Sequence, residues 1–250
     1  MDETKKVIVR VKRQLGSKEK PHWEEFALDW RPAMNAIICL RDIAERPVTR
    51  DGKPTTPVVY DSNCLEEVCG SCAMVINGKA AMACSALIDS LEQPLRLEPM
   101  TKFPVIRDLA VDRSVMFQNL KRVRAWIPID GTYDLGEGPR MSPDMQAKAY
   151  PLTRCITCGN CLEVCPQVNE HNAFIGAAII SQVRLFNMHP TGAMHARERL
   201  EAVMGSGGVE DCGNAQNCVQ ICPKQIPLTE SIAEVNRQAI KQAIFGWLMG

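Results

Sequence analysis

The stretch Asn63-Cys64-Leu65-Glu66-Glu67-Val68-Cys69-Gly70-Ser71-Cys72 decides how the first half of this 250-residue chain reads. Its cysteines are separated by four residues and then by two, and Cys84 follows after eleven more. This is plant-type [2Fe–2S] ferredoxin spacing. The reason is geometric: three close thiolates wrap one side of a rhombic cluster from a tight loop, and a fourth arrives from beyond a hairpin. Gly70 and Ser71 let the loop fold back with its amides facing sulfur. Zinc usually takes paired Cys-x2-Cys knuckles, which this run does not match. Glu66 and Glu67 sit inside the loop, either as charges that lower the cluster potential or as solvated carboxylates.

Outward from the loop, the first hundred residues read mostly as strands. Lys6–Lys12 alternates in polarity, and Trp23–Trp30 is its expected partner. Ala33–Glu45 then places Ala36, Ile37, Leu40, Ile43 and Ala44 at helical spacing, and Pro47 stops it. Short strands are expected at Pro57–Tyr60, Ala73–Ile76, Ala80–Ala83 and Pro94–Leu97, with Asn77-Gly78 as a type I′ hairpin turn. That order predicts a β-grasp sheet wrapped over one helix. Cys39, on or beside the apolar side of the helix, reads as a buried free thiol.

The second half carries two further cysteine runs. Cys155-x2-Cys158-x2-Cys161-x3-Cys165-Pro166 is the bacterial ferredoxin run, whose fourth cysteine serves the other cluster of a two-cluster protein. Its companion is Cys212-x5-Cys218-x3-Cys222-Pro223, in which Ala215 stands where a complete run would have a middle cysteine. By this crossover, Cys155, Cys158, Cys161 and Cys222 complete a [4Fe–4S] site. Cys165, Cys212 and Cys218 then hold the other cluster with three thiolates. A methyl group does not bind iron, so the fourth corner is left empty and a [3Fe–4S] cluster results. A [4Fe–4S] cluster with water or hydroxide at the open corner is the alternative. Helices are expected at 111–126, 171–188, 195–204 and 229–249, with an ordered Gly- and Pro-rich loop at 131–143 and no long β pattern after 107. The fold class is therefore α+β. An N-terminal β-grasp [2Fe–2S] ferredoxin-like domain covers 1–107, and an all-helical, bacterial ferredoxin-like domain covers 108–250.

Composition narrows the function. Lys plus Arg and Asp plus Glu are both 29, and a neutral balance argues against a nucleic-acid partner, which needs a basic surplus. A chain 46% hydrophobic is neither disordered nor collagen-like. Met1–Lys6 is followed by no apolar run of signal-peptide type, there is no twin-Arg signal, and no stretch of about 20 apolar residues spans a membrane. The chain is expected to stay in the cytoplasm, where its 12 cysteines remain reduced and point to metal. Eleven of them divide as four, four and three. Three clusters make a wire for single electrons. With no Gly-x-Gly-x-x-Gly and no P-loop, that wire needs a separate catalytic partner.

These runs, together with Phe103-Pro104-Val105-Ile106-Arg107-Asp108-Leu109, Pro190-Thr191-Gly192 and Asp211-Cys212-Gly213, resemble the iron–sulfur subunits of the succinate dehydrogenase and fumarate reductase family over essentially the whole chain. The resemblance implies a subunit with no catalytic residue of its own. A flavoprotein partner with covalent FAD oxidises succinate. Electrons enter at the [2Fe–2S] centre (Cys64, Cys69, Cys72, Cys84) and cross the [4Fe–4S] centre (Cys155, Cys158, Cys161, Cys222). They leave from the [3Fe–4S] centre (Cys165, Cys212, Cys218) to a quinone in a membrane anchor. The implied location is peripheral, on the cytoplasmic face of the cell membrane. Ile129-Asp130-Gly131-Thr132-Tyr133-Asp134-Leu135-Gly136 resembles the Gram-positive, menaquinone-using branch, whose anchor is a dihaem cytochrome b. FAD and haem therefore belong to partners. Two departures separate the chain from the ubiquinone-reducing branch: no tryptophan lies in Pro166–His171, and Gly213 stands where His is common. Subunit-side quinone contacts are accordingly not carried over. His171, His189 and His195 are either quinone-side proton donors or ordinary surface and packing residues. Ile232–Met249 either rests on the anchor or caps the domain. The fumarate-reducing direction stays open. Service to another flavin enzyme and a zinc-stapled module are the competing readings, and the spacing and the whole-chain resemblance disfavour both.

Overall fold

The computed structural model describes residues 5–127 and 139–249, with side chains as far as 244. The stretch Ile129–Gly136, most of the loop expected at 131–143, residues 1–4, and the side chains of Trp247 and Leu248 lie outside the described residues. The chain forms two compact units, residues 1–113 with 156–163 and residues 114–155 with 164–250.

In the first unit, β1 (Lys6–Arg13) pairs antiparallel with β2 (His22–Asp29). Its alternation buries Val7, Val9 and Val11 on one face, as period-2 patterning requires. Helix α1 (Ala36–Glu45) starts where Asn35 Oδ1 accepts from Ile38 N at 2.9 Å. It buries Ala36, Ile37, Cys39, Leu40 and Ile43. The hairpin of β3 (Ala73–Ile76) and β4 (Lys79–Met82) turns through Asn77 and Gly78 at φ +49° and +80°, the pair of left-handed residues a type I′ turn needs. Strand β5 (Leu95–Glu98) lies parallel to β1 and antiparallel to β3. The sheet order is β2-β1-β5-β3-β4, and with α1 this is the expected β-grasp.

Pro57–Tyr60 forms no strand, because its backbone is used elsewhere. Val59 N donates to Asp108 Oδ2 at 3.0 Å, and Leu109 N donates to Val59 O at 3.0 Å. Asp108 is the bend of a small hairpin, β6 (Val105–Arg107) and β7 (Ala110–Val111), and sits at φ +48°. Its buried carboxylate takes the fork of the equally buried Arg13, Nε to Oδ1 at 3.0 Å and Nη2 to Oδ2 at 3.2 Å. Gln14 N adds a further donor to Oδ1 at 3.1 Å. One carboxylate thus fastens the end of β1 to the segment that leads into the Cys64 loop.

The second unit is mostly helical. Helix α2 (Ser114–Arg122) is shorter than the expected 111–126, because Ala110–Val111 belongs to β7 and Arg124 adopts φ +50°. Helix α3 (Pro143–Thr153), unforeseen, begins with Ser142 Oγ accepting from Met145 N at 3.2 Å and with Pro143 in the first turn. The helix expected from 171 starts at Ala177 as α4 (Ala177–Met188). Ahead of it, β8 (Val168–Asn169) and β9 (Asn172–Ala173) form a hairpin. Asn169 Oδ1 accepts from His171 N, and Asn172 Oδ1 from Phe174 N, both at 2.8 Å. Such local side-chain bonds compete successfully with helix. After α5 (Ala196–Val203) and the short α6 (Asn217–Ile221), α7 (Leu228–Met249) packs along α4. A buried Ser181–Ser231 hydrogen bond of 3.3 Å joins these two helices. The fully buried Arg199 donates to the carbonyls of Arg124, Trp126 and Gly192 and to Asn187 Oδ1, holding the chain that follows α2.

Replacing Asp108 by Ala leaves the amides of Gln14 and Val59 without their acceptor and Arg13 with Glu24 as its remaining anionic partner, and the expected loss is about 1–3 kcal/mol for each stranded amide. Breaking the exposed Lys5–Asp89 pair is expected to cost no more than about 1 kcal/mol. Urea unfolding of both variants measures the contrast. Equal midpoints would contradict the role given to Asp108.

Candidate metal centres

The loop from Asn63 to Cys72 departs from ordinary backbone at three places: Leu65 at φ +62°, Glu67 at +54° and Gly70 at +77°. These reversals turn N–H groups inward. Glu66 N, Val68 N and Cys69 N approach Cys64 Sγ at 3.4, 3.3 and 3.3 Å. Glu67 N donates to Cys84 Sγ at 3.3 Å and Ser71 N to Cys69 Sγ at 3.5 Å. What the two glutamates bring to sulfur is therefore their amides. Donation from the Cys64 amide, and then from the Ser71 hydroxyl and amide, pulls the Cys69 thiol down to about 6, so it is largely thiolate at neutral pH. Burial instead pushes Cys72 up to about 12. Asn35, which caps α1, also donates from Nδ2 to Cys84 O at 2.9 Å, tying the fourth cysteine to the helix. Long-range partners of this kind escape a motif search, although Asn35 is legible as a helix cap.

Gly70 is buried, and a Cβ built there would lie 2.2 Å from Ile156 O. Only glycine fits this approach, and its positive φ is free of penalty only for glycine. Within the same unit Cys158 and Cys161 are buried, flanked by left-handed Thr157 and Gly159 and by a helical turn at Asn160–Glu163. The Glu163 carboxylate fixes that turn, accepting from Thr101 Oγ1 at 2.7 Å and Lys102 N at 3.1 Å. Cys155 and Cys222 are half-buried and belong to the second unit.

Cys165, Cys212 and Cys218 line one cavity of the second unit. Ala215 faces the same cavity, with Phe174 and Ile232 among its apolar walls. Asn214 and Gln216 take φ +51° and +61°, and Asn217 Nδ2 donates to Val164 O at 3.1 Å, holding the residue before Cys165. Burial first, and then the charges of Cys165 and Cys212, raises the Cys218 thiol. A Cβ on Gly213 would lie 2.6 Å from Gln167 Nε2, so Gln167 occupies the space a larger residue would need. Among the described residues no three His, Cys, Asp or Glu side chains converge as a single-ion site. A cluster spreads its thiolates wider than one ion does. The donor sets fit iron–sulfur chemistry: free thiols throughout, inward amides in the first loop and apolar walls around Cys165, Cys212 and Cys218.

Cys39 is fully buried in α1, and burial pushes its thiol up to about 12. His189 Nδ1 accepts from Gly192 N at 3.3 Å, His195 Nδ1 is buried with no partner in the described structure, and His171 is exposed in the β8–β9 turn.

A 2Fe–2S iron–sulfur cluster binding domain model matches residues 8–118, and a 4Fe–4S dicluster domain model matches 151–226. The chain is 59% identical over 243 residues to the succinate dehydrogenase iron–sulfur subunit of Bacillus subtilis, covering 97% of this chain and 96% of that one. It is 31% identical over 224 residues to the fumarate reductase iron–sulfur subunit of Wolinella succinogenes, covering 88% and 91%. A chain of the Mycobacterium smegmatis Sdh1 complex in the apo form shares the fold, with a TM-score of 0.80 at 21% identity, over 96% of this chain and 97% of that one. Cysteine runs, cluster-binding domains and end-to-end similarity agree, and the chain belongs to the family of succinate dehydrogenase and fumarate reductase iron–sulfur subunits.

Proposed function

We propose that this chain is the electron-transfer subunit of a membrane-bound succinate:quinone oxidoreductase. Residues 1–107 form the [2Fe–2S] domain, with Cys64, Cys69, Cys72 and Cys84 as ligands. Residues 108–250 form the dicluster domain, in which Cys155, Cys158, Cys161 and Cys222 hold a [4Fe–4S] cluster and Cys165, Cys212 and Cys218 a [3Fe–4S] cluster. The observation that carries the reading is the cavity where three cysteines meet the methyl of Ala215 at the position of a missing fourth ligand. Crossover spacing supports the remaining set. Bound clusters supply one-electron chemistry, which suits a chain between a two-electron flavin and a quinone. The protein's own part is to hold thiolates with amides, to keep water from the buried sulfurs, and to fix the loops on a rigid sheet and helices.

The partners of this reading are a flavoprotein subunit that carries FAD and oxidises succinate, and a cytochrome b anchor that carries haem and receives quinone. Menaquinone is the quinone proposed, on the wording of Ile129–Gly136, the absence of tryptophan from Pro166–His171, and Gly213. Among the described residues no helix is long and apolar enough to cross a membrane. The proposed location is peripheral, on the cytoplasmic face, held by the anchor.

The assembled complex is expected to contain roughly nine irons for this subunit. Electron paramagnetic resonance should show a [3Fe–4S] signal when oxidised, and [2Fe–2S] and [4Fe–4S] signals after dithionite. Stoichiometric zinc without these signals would refute the reading. Ala215→Cys is expected to convert the third centre to a four-iron form of lower potential, abolishing the oxidised signal. Its survival unchanged would mean that the third ligand set is wrong.

A further inference from the structure

One side chain outside every cysteine run reaches the loops of two proposed centres. Arg113, whose side chain is 13% exposed, donates from Nη1 to Gly70 O at 2.8 Å and to Cys158 O at 3.2 Å. Nη2 donates to Ser71 O at 2.5 Å and lies 3.7 Å from the half-exposed Asp61 carboxylate. Gly70 and Ser71 belong to the first cysteine loop, and Cys158 belongs to the second. All these residues lie in one compact unit.

The direction of these bonds matters. A trans peptide carries its C=O and N–H on opposite sides. The peptide joining Gly70 to Ser71 accepts from Arg113 at its oxygen, while its N–H points to Cys69 Sγ at 3.5 Å. A cation at the carbonyl end polarises that amide, and chains of hydrogen bonds strengthen one another in low dielectric. Hydrogen bonds to sulfur and nearby charge are among the determinants of iron–sulfur potentials. Both effects favour the more negative, reduced state of a centre held by Cys69. The same guanidinium grips the carbonyl of Cys158. Its rigid fork therefore also sets how closely the two cysteine loops approach, at the place where Gly70 already excludes a Cβ from Ile156 O.

We propose that Arg113 is the positioning residue for electron transfer between the first and second centres, raising the potential of the first through the Gly70–Ser71 peptide and fixing the spacing of the two loops. The transfer moves one electron, with no bond made and no proton placed. The proposal rests on the ligand assignment above. Wild-type complex lacking a [2Fe–2S] or [4Fe–4S] signal would overturn that assignment, whereas the Arg113 variants test the inference itself.

The experiment is a redox titration of the assembled complex, followed by electron paramagnetic resonance, on wild type, Arg113→Gln and Arg113→Lys. In Arg113→Gln the [2Fe–2S] midpoint is expected to fall and the magnetic coupling between the reduced first and second centres to change, with the third centre unmoved. Lys keeps the charge and loses the fork, so Arg113→Lys should restore most of the midpoint but not the coupling. An Arg113→Gln complex with full cluster content and an unchanged midpoint and coupling would overturn the proposal. Should Arg113→Gln fail to retain the first cluster, the Lys variant decides: a near-native midpoint with altered coupling supports the inference, and native coupling overturns it.

Discussion

Thiolates in a folded chain need partners for their charge, and here the nearest partners are backbone amides. Aiming an amide at sulfur forces the chain through the left-handed region, and away from glycine this costs on the order of 1–3 kcal/mol per residue. Leu65 and Glu67 adopt such angles in the loop whose amides face sulfur, and Thr157, Asn214, Gln216 and Gln225 adopt them within or next to the other cysteine runs. Strain of this kind persists only where the surroundings over-determine it. In the first unit they do: α1 holds Cys84 through Asn35, Asp108 fastens the approach to the loop, and Gly70 admits a neighbouring backbone that no other residue would. The β-grasp sheet is thus a rigid frame for a loop that would not hold its own shape.

Electrostatics gives the same frame a second task. Counted as residues the chain is neutral, but eleven thiolates against oxidised cores of +2, +2 and +1 leave roughly −6 on the proposed centres. Neither a distant surface lysine nor a salt bridge such as Lys53–Asp51, exposed on both sides, does much to offset charge held inside loops. Amides do, and so does a mostly buried guanidinium whose acceptors are the carbonyls of those same loops. Arg113 donates to three carbonyls of those loops, one of them on the peptide whose N–H faces Cys69 Sγ, and its contact with Asp61 is the longer one at 3.7 Å.

How much of this was legible from sequence follows from the range over which each feature is encoded. Ligand spacing is local, because a cluster of fixed size demands fixed offsets, and the β-grasp order could be read from alternation and the Asn77-Gly78 turn. The failures have local and non-local causes. Residues 57–60 look like a strand, but Asp108, some fifty positions away, takes their amide. The helix expected from 171 is delayed by two asparagine turns, whose signal lies in Asn169 and Asn172 themselves. Helix α3 announces itself in Ser142-Pro143, a cap and first-turn pair that a Gly- and Pro-rich neighbourhood concealed. Arg113 offers no pattern at all, since its function lies entirely in which carbonyls it meets.

One ligand type serves the three proposed centres, so beyond cluster type their differences come from surroundings. The first loop is open at one end, where Leu65 and Val68 are 46% and 59% exposed and amide donation draws Cys69 down to about 6, while burial pushes Cys72 at its other end up to about 12. The third set sits in a cavity walled by Phe174, Ile232 and the methyl of Ala215, and there burial raises the Cys218 thiol. Solvent and amides favour added negative charge, while an apolar wall opposes it. In the third set as proposed, a methyl in place of a thiolate removes one ligand charge, but a [3Fe–4S] core also carries one positive charge fewer than a [4Fe–4S] core, so the oxidised centre keeps roughly the same net charge of −2 as the others. The walls would therefore act through the exclusion of water, which opposes an added electron, and not through the charge of the ligand set.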